Sequence, residues 1–247
     1  VDINDWINKT RSERREPVKP PSYGVVIAKV SDDKRKGVAL YLSCQTYFTA
    51  RLKEIVNLAF LIIEKALNSS AMNAEEVLTL AISGRLVKDI LKDKSRLFKE
   101  DVGIALYEIL EGQSVYHYNH LPDFTISSLV SLNIRPNPII NIVGHDLAMQ
   151  VAAMNPLAIT PAGISAETIE KLRIVAREKI LHNSLRKYST QELETRINRA
   201  VEKYLEQNAL LTQIFIKDKT VKVQQFLDLA RIELQVTGMK RLSAGTN

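Results

Sequence analysis

Only one cysteine, Cys44, occurs in the 247 residues. That excludes an internal disulfide framework and a cysteine metal cluster, and it points to a reducing compartment. Glycine is scarce as well, with nine in the chain. No glycine-rich loop precedes a helix in the manner of a phosphate-binding site, so no nucleotide site and no cofactor are expected. Long apolar runs are missing: the longest, Ile55 to Ile63, is interrupted by Asn57 and is far too short to span a bilayer. No membrane partner is expected. Aromatics make up 6% of the chain, and no strand interleaves them with basic residues as an RNA-reading sheet does.

The titratable residues do not assemble into catalytic chemistry either. His117 and His120 stand three apart in a segment that reads as a strand, which sends them to opposite faces, and no third ligand is close in sequence. His145-Asp146 falls on a helix without a nucleophile, and His182 sits in a charged helix end. Cys44 has no neighbouring histidine or basic residue to lower its pKa, so it reads as a buried structural thiol. With no catalytic or metal-binding set in view, the chain is expected to work through binding surfaces and not as an enzyme.

What is present is enough apolar material, 45% of residues, for a full core. Lys and Arg outnumber Asp and Glu by 34 to 28, giving a net charge of +6 and a pI near 9.3. This balance favours anionic neighbours such as nucleic acid, the ribosome or an acidic protein surface, yet it falls short of a dedicated nucleic-acid binder. It is also what a mature mitochondrial protein looks like.

Read in order, Asp2 to Lys9 places Ile3, Trp6 and Ile7 at helical spacing behind a capping Asp2. Arg11 to Pro21 carries three prolines and reads as an exposed linker, whose basic residues (Lys9, Arg11, Arg14, Arg15, Lys19) serve either as a solvated tether or as an RNA contact. Tyr23 to Val30 and Val38 to Cys44 form a hairpin around the seven-residue loop Ser31 to Gly37. One helix is expected from Thr49 to Leu67 and a second from Asn73 to Leu91, with Asn73 and Glu76 at capping spacing. Strands follow at Gly103 to Leu110, Ser114 to Tyr118 and Phe124 to Ile134, then a helix from Pro138 to Met154. Helices beginning near Ser165 and Thr190 and ending near Asn183 and Asn208 have narrow apolar seams, and they read as an antiparallel pair projecting from the body. Strand Leu210 to Ile216, helix Val221 to Ala230 and strand Ile232 to Met239 complete the pattern.

Two stretches, Val38 to Leu67 and Ile126 to Met154, share a plan of apolar strand, polar corner and amphipathic helix. The fold class is therefore α+β, with two related subdomains of antiparallel sheet plus helices. The expected division is 22–100 for the first core subdomain, 101–164 with 209–247 for the second, and 165–208 for the helical hairpin.

The corner between the first strand pair and its helix is Ser43-Cys44-Gln45-Thr46-Tyr47-Phe48-Thr49-Ala50. Two readings of its aromatic pair stay open from local chemistry. Tyr47 and Phe48 either staple the helix start to the sheet, or stand at the surface as a wedge for a partner.

Three segments in order resemble the translation elongation factor Ts family. The corner is similar to that family's Asn-Cys-Glu/Gln-Thr-Asp-Phe-Val-Ala. Leu147 to Pro156, followed by Ile164 to Glu167, resembles Ile-Ala-Met-His-Val-Ala-Ala-x-x-Pro and Val-Ser-x-Glu. Leu211 to Asp218, with Val223 and Leu227, resembles Leu-x-x-Gln-x-Phe-Val-x-Asp/Glu and Val-x-x-x-Leu. Tyr118-Asn119-His120 is similar to the family's Tyr-x-His, with Leu121-Pro122-Asp123 in place of the glycines that usually follow, and residues 1–21 resemble the end of its small N-terminal ubiquitin-associated-like domain and linker.

The resemblance implies a guanine-nucleotide exchange factor that binds elongation factor Tu and promotes GDP release, in organellar translation in the mitochondrial matrix. It implies partner contacts at Thr46, Tyr47, Phe48, Thr49, Gln150 and Val151, with Phe48 as a wedge. Two positions depart from the family: Tyr47 stands where it has Asp, and Gln150 where it has His. They leave a second function open, a structural subunit or assembly factor of an organellar ribosome contacting ribosomal RNA.

Overall fold

The computed structural model describes residues 23–182, 188–230 and 233–245. The Asp2 to Lys9 helix and the basic linker lie outside them. The described residues form two compact units, 23–155 with 227–245 and, separately, 156–226.

In the first unit, strands β1 (Tyr23–Val30), β2 (Lys36–Cys44) and β5 (Gly103–Glu111) make one antiparallel sheet in the order β1-β2-β5. Strands β6 (Ser114–Asn119), β7 (Ile126–Leu132) and β8 (Val236–Ser243) make a second, in the order β6-β7-β8. Each sheet receives a helix after its second strand. In the first, α1 (Tyr47–Arg51) and α2 (Lys53–Leu67) follow β2; in the second, α5 (Pro138–Met154) follows β7. The strand, strand, helix, strand plan thus occurs twice.

The first sheet is buried on both faces, which explains why β1 and β2 read as continuous apolar runs and not as alternation. Val25, Ile27, Val38, Leu40 and Leu42 face α2 and share a core with Ile55, Ala59, Ile62 and Ile63. The residues between them, Val26, Ala28, Ala39 and Tyr41, face the second sheet and meet Val115, Leu129 and Leu242. Each large side chain fully buried here contributes about 1.5–3 kcal/mol of apolar transfer.

The second sheet carries three buried serines on β7. Ser128 Oγ donates to the Ala148 carbonyl of α5 at 2.6 Å, and Ser131 Oγ bonds Thr237 Oγ1 at 2.8 Å. These two bonds answer the cost of burying those hydroxyls, the first tying helix to sheet and the second β7 to β8, while Ser127 Oγ is buried without a hydrogen-bond partner.

Several expected boundaries differ. The first hairpin turn is tighter than Ser31 to Gly37, because β2 begins at Lys36 and Ser31 N donates to the Lys36 carbonyl at 2.9 Å. The expected helix from Asn73 to Leu91 is two helices, α3 (Ala74–Leu78) and α4 (Val87–Phe98), separated by the small hairpin β3 (Ala81–Ile82) and β4 (Arg85–Leu86). The cause is Ser83-Gly84: both have positive φ, 50° and 81°, as a two-residue hairpin turn demands. Asn73 does cap, its side chain accepting from Glu76 N. Although only a short turn separates β5 from β6, β5 pairs with β2 and β6 with β7.

In the second unit, α6 (Ala166–His182) and α7 (Thr190–Asn208) run antiparallel over a seam of Leu172, Ala176, Ile197, Val201 and Tyr204. Arg173 and Arg177 both reach Glu194 across the pair. A capping box at Ser189 and Glu192 starts α7. The expected strand Leu210 to Ile216 is instead a 3-10 turn, Leu210–Thr212, followed by an isolated bridge between Ile214 and Lys222. Leu210 N and Leu211 N donate to the carbonyls of Ala158 and Ile159, which leaves no run of sheet partners. The helix expected at Val221 to Ala230 is the shorter α8 (Val223–Asp228), and the last strand begins at Val236.

Candidate functional site

The corner that follows β2 is held from below. Ser43 Oγ donates to the Gly103 carbonyl at 2.9 Å and Gln45 Nε2 to Asp101 Oδ2 at 3.1 Å, fastening the end of β2 to the start of β5. Cys44 is buried, and burial first, then the Glu100 charge, pushes its thiol up to about 11. It is protonated at neutral pH and is a packing residue, not a nucleophile.

Thr46 caps α1, its Oγ1 accepting from Thr49 N at 3.2 Å. One expected helix from Thr49 to Leu67 is therefore two: α1 starts earlier, at Tyr47, and stops at Arg51. Leu52 has φ −64° and ψ 126°, and α2 starts afresh at Lys53. Leucine is a good helix former, so propensity does not make this break. Leu52 packs against the first sheet's core, and tertiary packing sets the chain direction there.

The two aromatics of the corner part company on this five-residue helix. Phe48 projects with 73% of its surface exposed. Tyr47 is exposed at 57% but engaged: its ring meets Tyr23 edge-on at 6.1 Å, and the Arg51 guanidinium lies 4.9 Å from its centroid. Arg51 in turn pairs with Asp123 Oδ1 at 3.3 Å and donates to the Asp123 carbonyl. Arg51 Nε is buried without a hydrogen-bond partner, at a cost of about 1–3 kcal/mol that the stack and the ion pair must offset. Thr49 is buried beneath the helix.

Gln150 and Val151 lie elsewhere, on α5 over the second sheet. Their exposures are 0% and 1%, so neither offers side-chain surface. The exposed residues of that segment are Ala153 and Met154. Of the histidines, His117 is depressed chiefly by burial and then by the charges of His145 and Lys34, and His120 Nδ1 lies 3.3 Å from Tyr118 Oη. Among the described residues no group of three or more His, Cys, Asp or Glu is placed to hold a metal ion. Nor is any helix among them long and apolar enough to cross a membrane.

Tyr23, Arg51 and Asp123 were not singled out from the sequence. Two of them had a signal there. Arg51 stands four after Tyr47, a spacing that places both on one helix face, and Tyr23 is the hairpin partner of Cys44. Asp123, 72 residues from Arg51, had none.

The model of the family described as elongation factor TS matches residues 45–246, from the corner to beyond the end of β8. The chain belongs to the elongation factor Ts family. Among its relatives, elongation factor Ts of Porphyromonas gingivalis is 32% identical over 204 residues, covering 82% of this chain and 72% of that protein. Elongation factor Ts of Flavobacterium psychrophilum is 30% identical over 224 residues, covering 90% and 78%. That of Amoebophilus asiaticus is 28% identical over 223 residues, covering 90% and 79%. These relatives are bacterial. The match begins at Gln45, where the sheet hands over to the exposed corner.

Proposed function

We propose that this chain binds the GTPase elongation factor Tu and speeds release of GDP from it, contributing no covalent chemistry of its own. The observation that carries the reading is Phe48, a large apolar side chain left 73% exposed on a one-turn helix whose other face is fixed to the sheet. An exposed phenylalanine on a rigid mount is poised to bury its ring in a partner, a gain of about 1.5–3 kcal/mol. If the partner accepts the ring only when its nucleotide site has loosened, binding and nucleotide affinity are coupled, and each weakens the other by the same factor. A bound Mg²⁺ keeps several waters and few protein ligands, so a small displacement at its site is enough to loosen it.

Thr46 and Thr49 serve this surface by capping and seating α1, and Phe48 with the outer edge of Tyr47 makes the contact. Because Gln150 and Val151 are buried, we assign a second contact near α5 to the exposed Ala153 and Met154 beside them. The net charge of +6 supports an organellar setting in the mitochondrial matrix. Imaging of the tagged full-length protein with a matrix marker tests it, and exclusion from the organelle overturns it.

Stopped-flow release of fluorescent GDP from elongation factor Tu of the same source tests the exchange reading. Acceleration by the wild-type chain is expected. A chain that sediments with ribosomal subunits and leaves release unchanged points instead to the ribosomal role.

A further inference from the structure

We propose that Arg51 is a positioning residue for the Phe48 wedge, tying α1 to the loop at Asp123 through the face of Tyr47; this rests on the reading of Phe48 given above. A five-residue helix has one turn and no cooperative stability, so its direction is set by what it touches. On one side the Thr46 cap and the buried Thr49 and Ala50 seat it. From its exposed side Tyr47 and Arg51 reach other parts of the chain, and they do so together. The guanidinium covers one face of Tyr47, while Tyr23 meets the same ring edge-on.

The far end of the clamp is well anchored. The loop that carries Asp123 is bonded to β1, to the start of β7 and to the residue after β8: Val26 N donates to the Phe124 carbonyl at 2.6 Å, His120 N to the Ile126 carbonyl at 2.9 Å, and Ala244 N to the Thr125 carbonyl at 2.8 Å. Phe124 adopts a left-handed φ of 47°, and its ring stacks edge-on with Phe60 of α2 at 5.5 Å. Arg51 therefore joins a helix that cannot hold itself to a loop fixed by both sheets. Tyr47, where the family pattern has a carboxylate, is engaged by the cation on one face and by Tyr23 edge-on. Phe48 is left as the free aromatic, with its direction fixed by the residues on either side.

This assigns Arg51 a role that acts through Phe48 and not by touching the partner, and a double-mutant cycle separates the two. The readout is the affinity of the full chain for nucleotide-free elongation factor Tu. Arg51→Met is expected to weaken it about tenfold, the combined scale of a cation–π contact and a part-buried ion pair. In a Phe48→Ala background the same change is expected to cost less than about twofold, since the group being positioned is gone. Arg51→Lys keeps the charge but loses the planar stack, and is expected to fall between. Asp123→Asn, on an exposed side chain, removes the ion pair from the other end while leaving the bond to the Asp123 carbonyl; a smaller loss that vanishes in the Phe48→Ala background is expected, which keeps the test available if Arg51→Met does not fold. A loss from Arg51→Met that is equal in both backgrounds overturns the inference, because Arg51 then acts on the partner directly. No loss from Arg51→Met where Phe48→Ala does weaken binding also overturns it, and leaves the exchange reading standing. No loss from Phe48→Ala removes the exchange reading and this inference with it.

Discussion

Gly144 of α5 lies flat against the ring of Tyr116 on β6, so close that a Cβ there would sit 2.0 Å from a ring carbon. Helix and sheet approach closely at this position, and the Ser128 bond to the Ala148 carbonyl holds the same helix from the neighbouring strand. Gly144→Ala should force the Tyr116 ring or the helix to shift and cost about 1–3 kcal/mol. Urea unfolding of the variant against wild type checks this, with a lowered midpoint at unchanged slope as the expected result.

Cys44 supplies a pH-dependent prediction. Its folded-state pKa is raised from 9.0 to about 11, chiefly by burial. Below pH 9 the thiol is protonated in both states and leaves stability unaffected. As pH rises from 9 toward 11 the unfolded chain releases the proton and the folded chain does not, so stability falls across that window. The same burial makes the native thiol inert to iodoacetamide at pH 8, with alkylation appearing only on addition of denaturant.

The helical pair in 156–226 is predicted to be held by its seam more than by its charges. Glu194 accepts from both Arg173 and Arg177, yet all three side chains are about a third or more exposed. Glu194→Ala should cost about 0.5–1 kcal/mol, an effect that shrinks in high salt. Ile197→Ala, at a fully buried position, should cost about 2–5 kcal/mol. Thermal unfolding of both variants at low and high salt distinguishes the two contributions.

How much of this was legible in the sequence depended on whether local signals agreed with tertiary packing. Pro138 to Met154 was legible to the residue because Asn137 caps it and its apolar residues persist over the whole length. The paired apolar strands and the start of α7 at Thr190 were legible for similar reasons. Where a local pattern was outvoted, the reading failed. Leu80, Val87 and Leu91 keep helical spacing across Ser83-Gly84, yet two positive φ angles turn the chain there. Leu52 has no helix-breaking chemistry, and only its burial against the sheet explains why α1 ends there. Phe48 was singled out by the resemblance, and the local pointer to which aromatic is engaged was Arg51, four residues after Tyr47. What fixes Arg51 in turn is Asp123, 72 residues further along the chain.

Release of fluorescent GDP from elongation factor Tu, followed by stopped flow with wild-type and Phe48→Ala chains at equal concentration, tests the central claim most directly. Acceleration by wild type is predicted, with a loss of about 30-fold or more in the variant, the equivalent of about 2 kcal/mol of apolar burial. Equal rates for wild type and variant, or no acceleration by wild type, would contradict it.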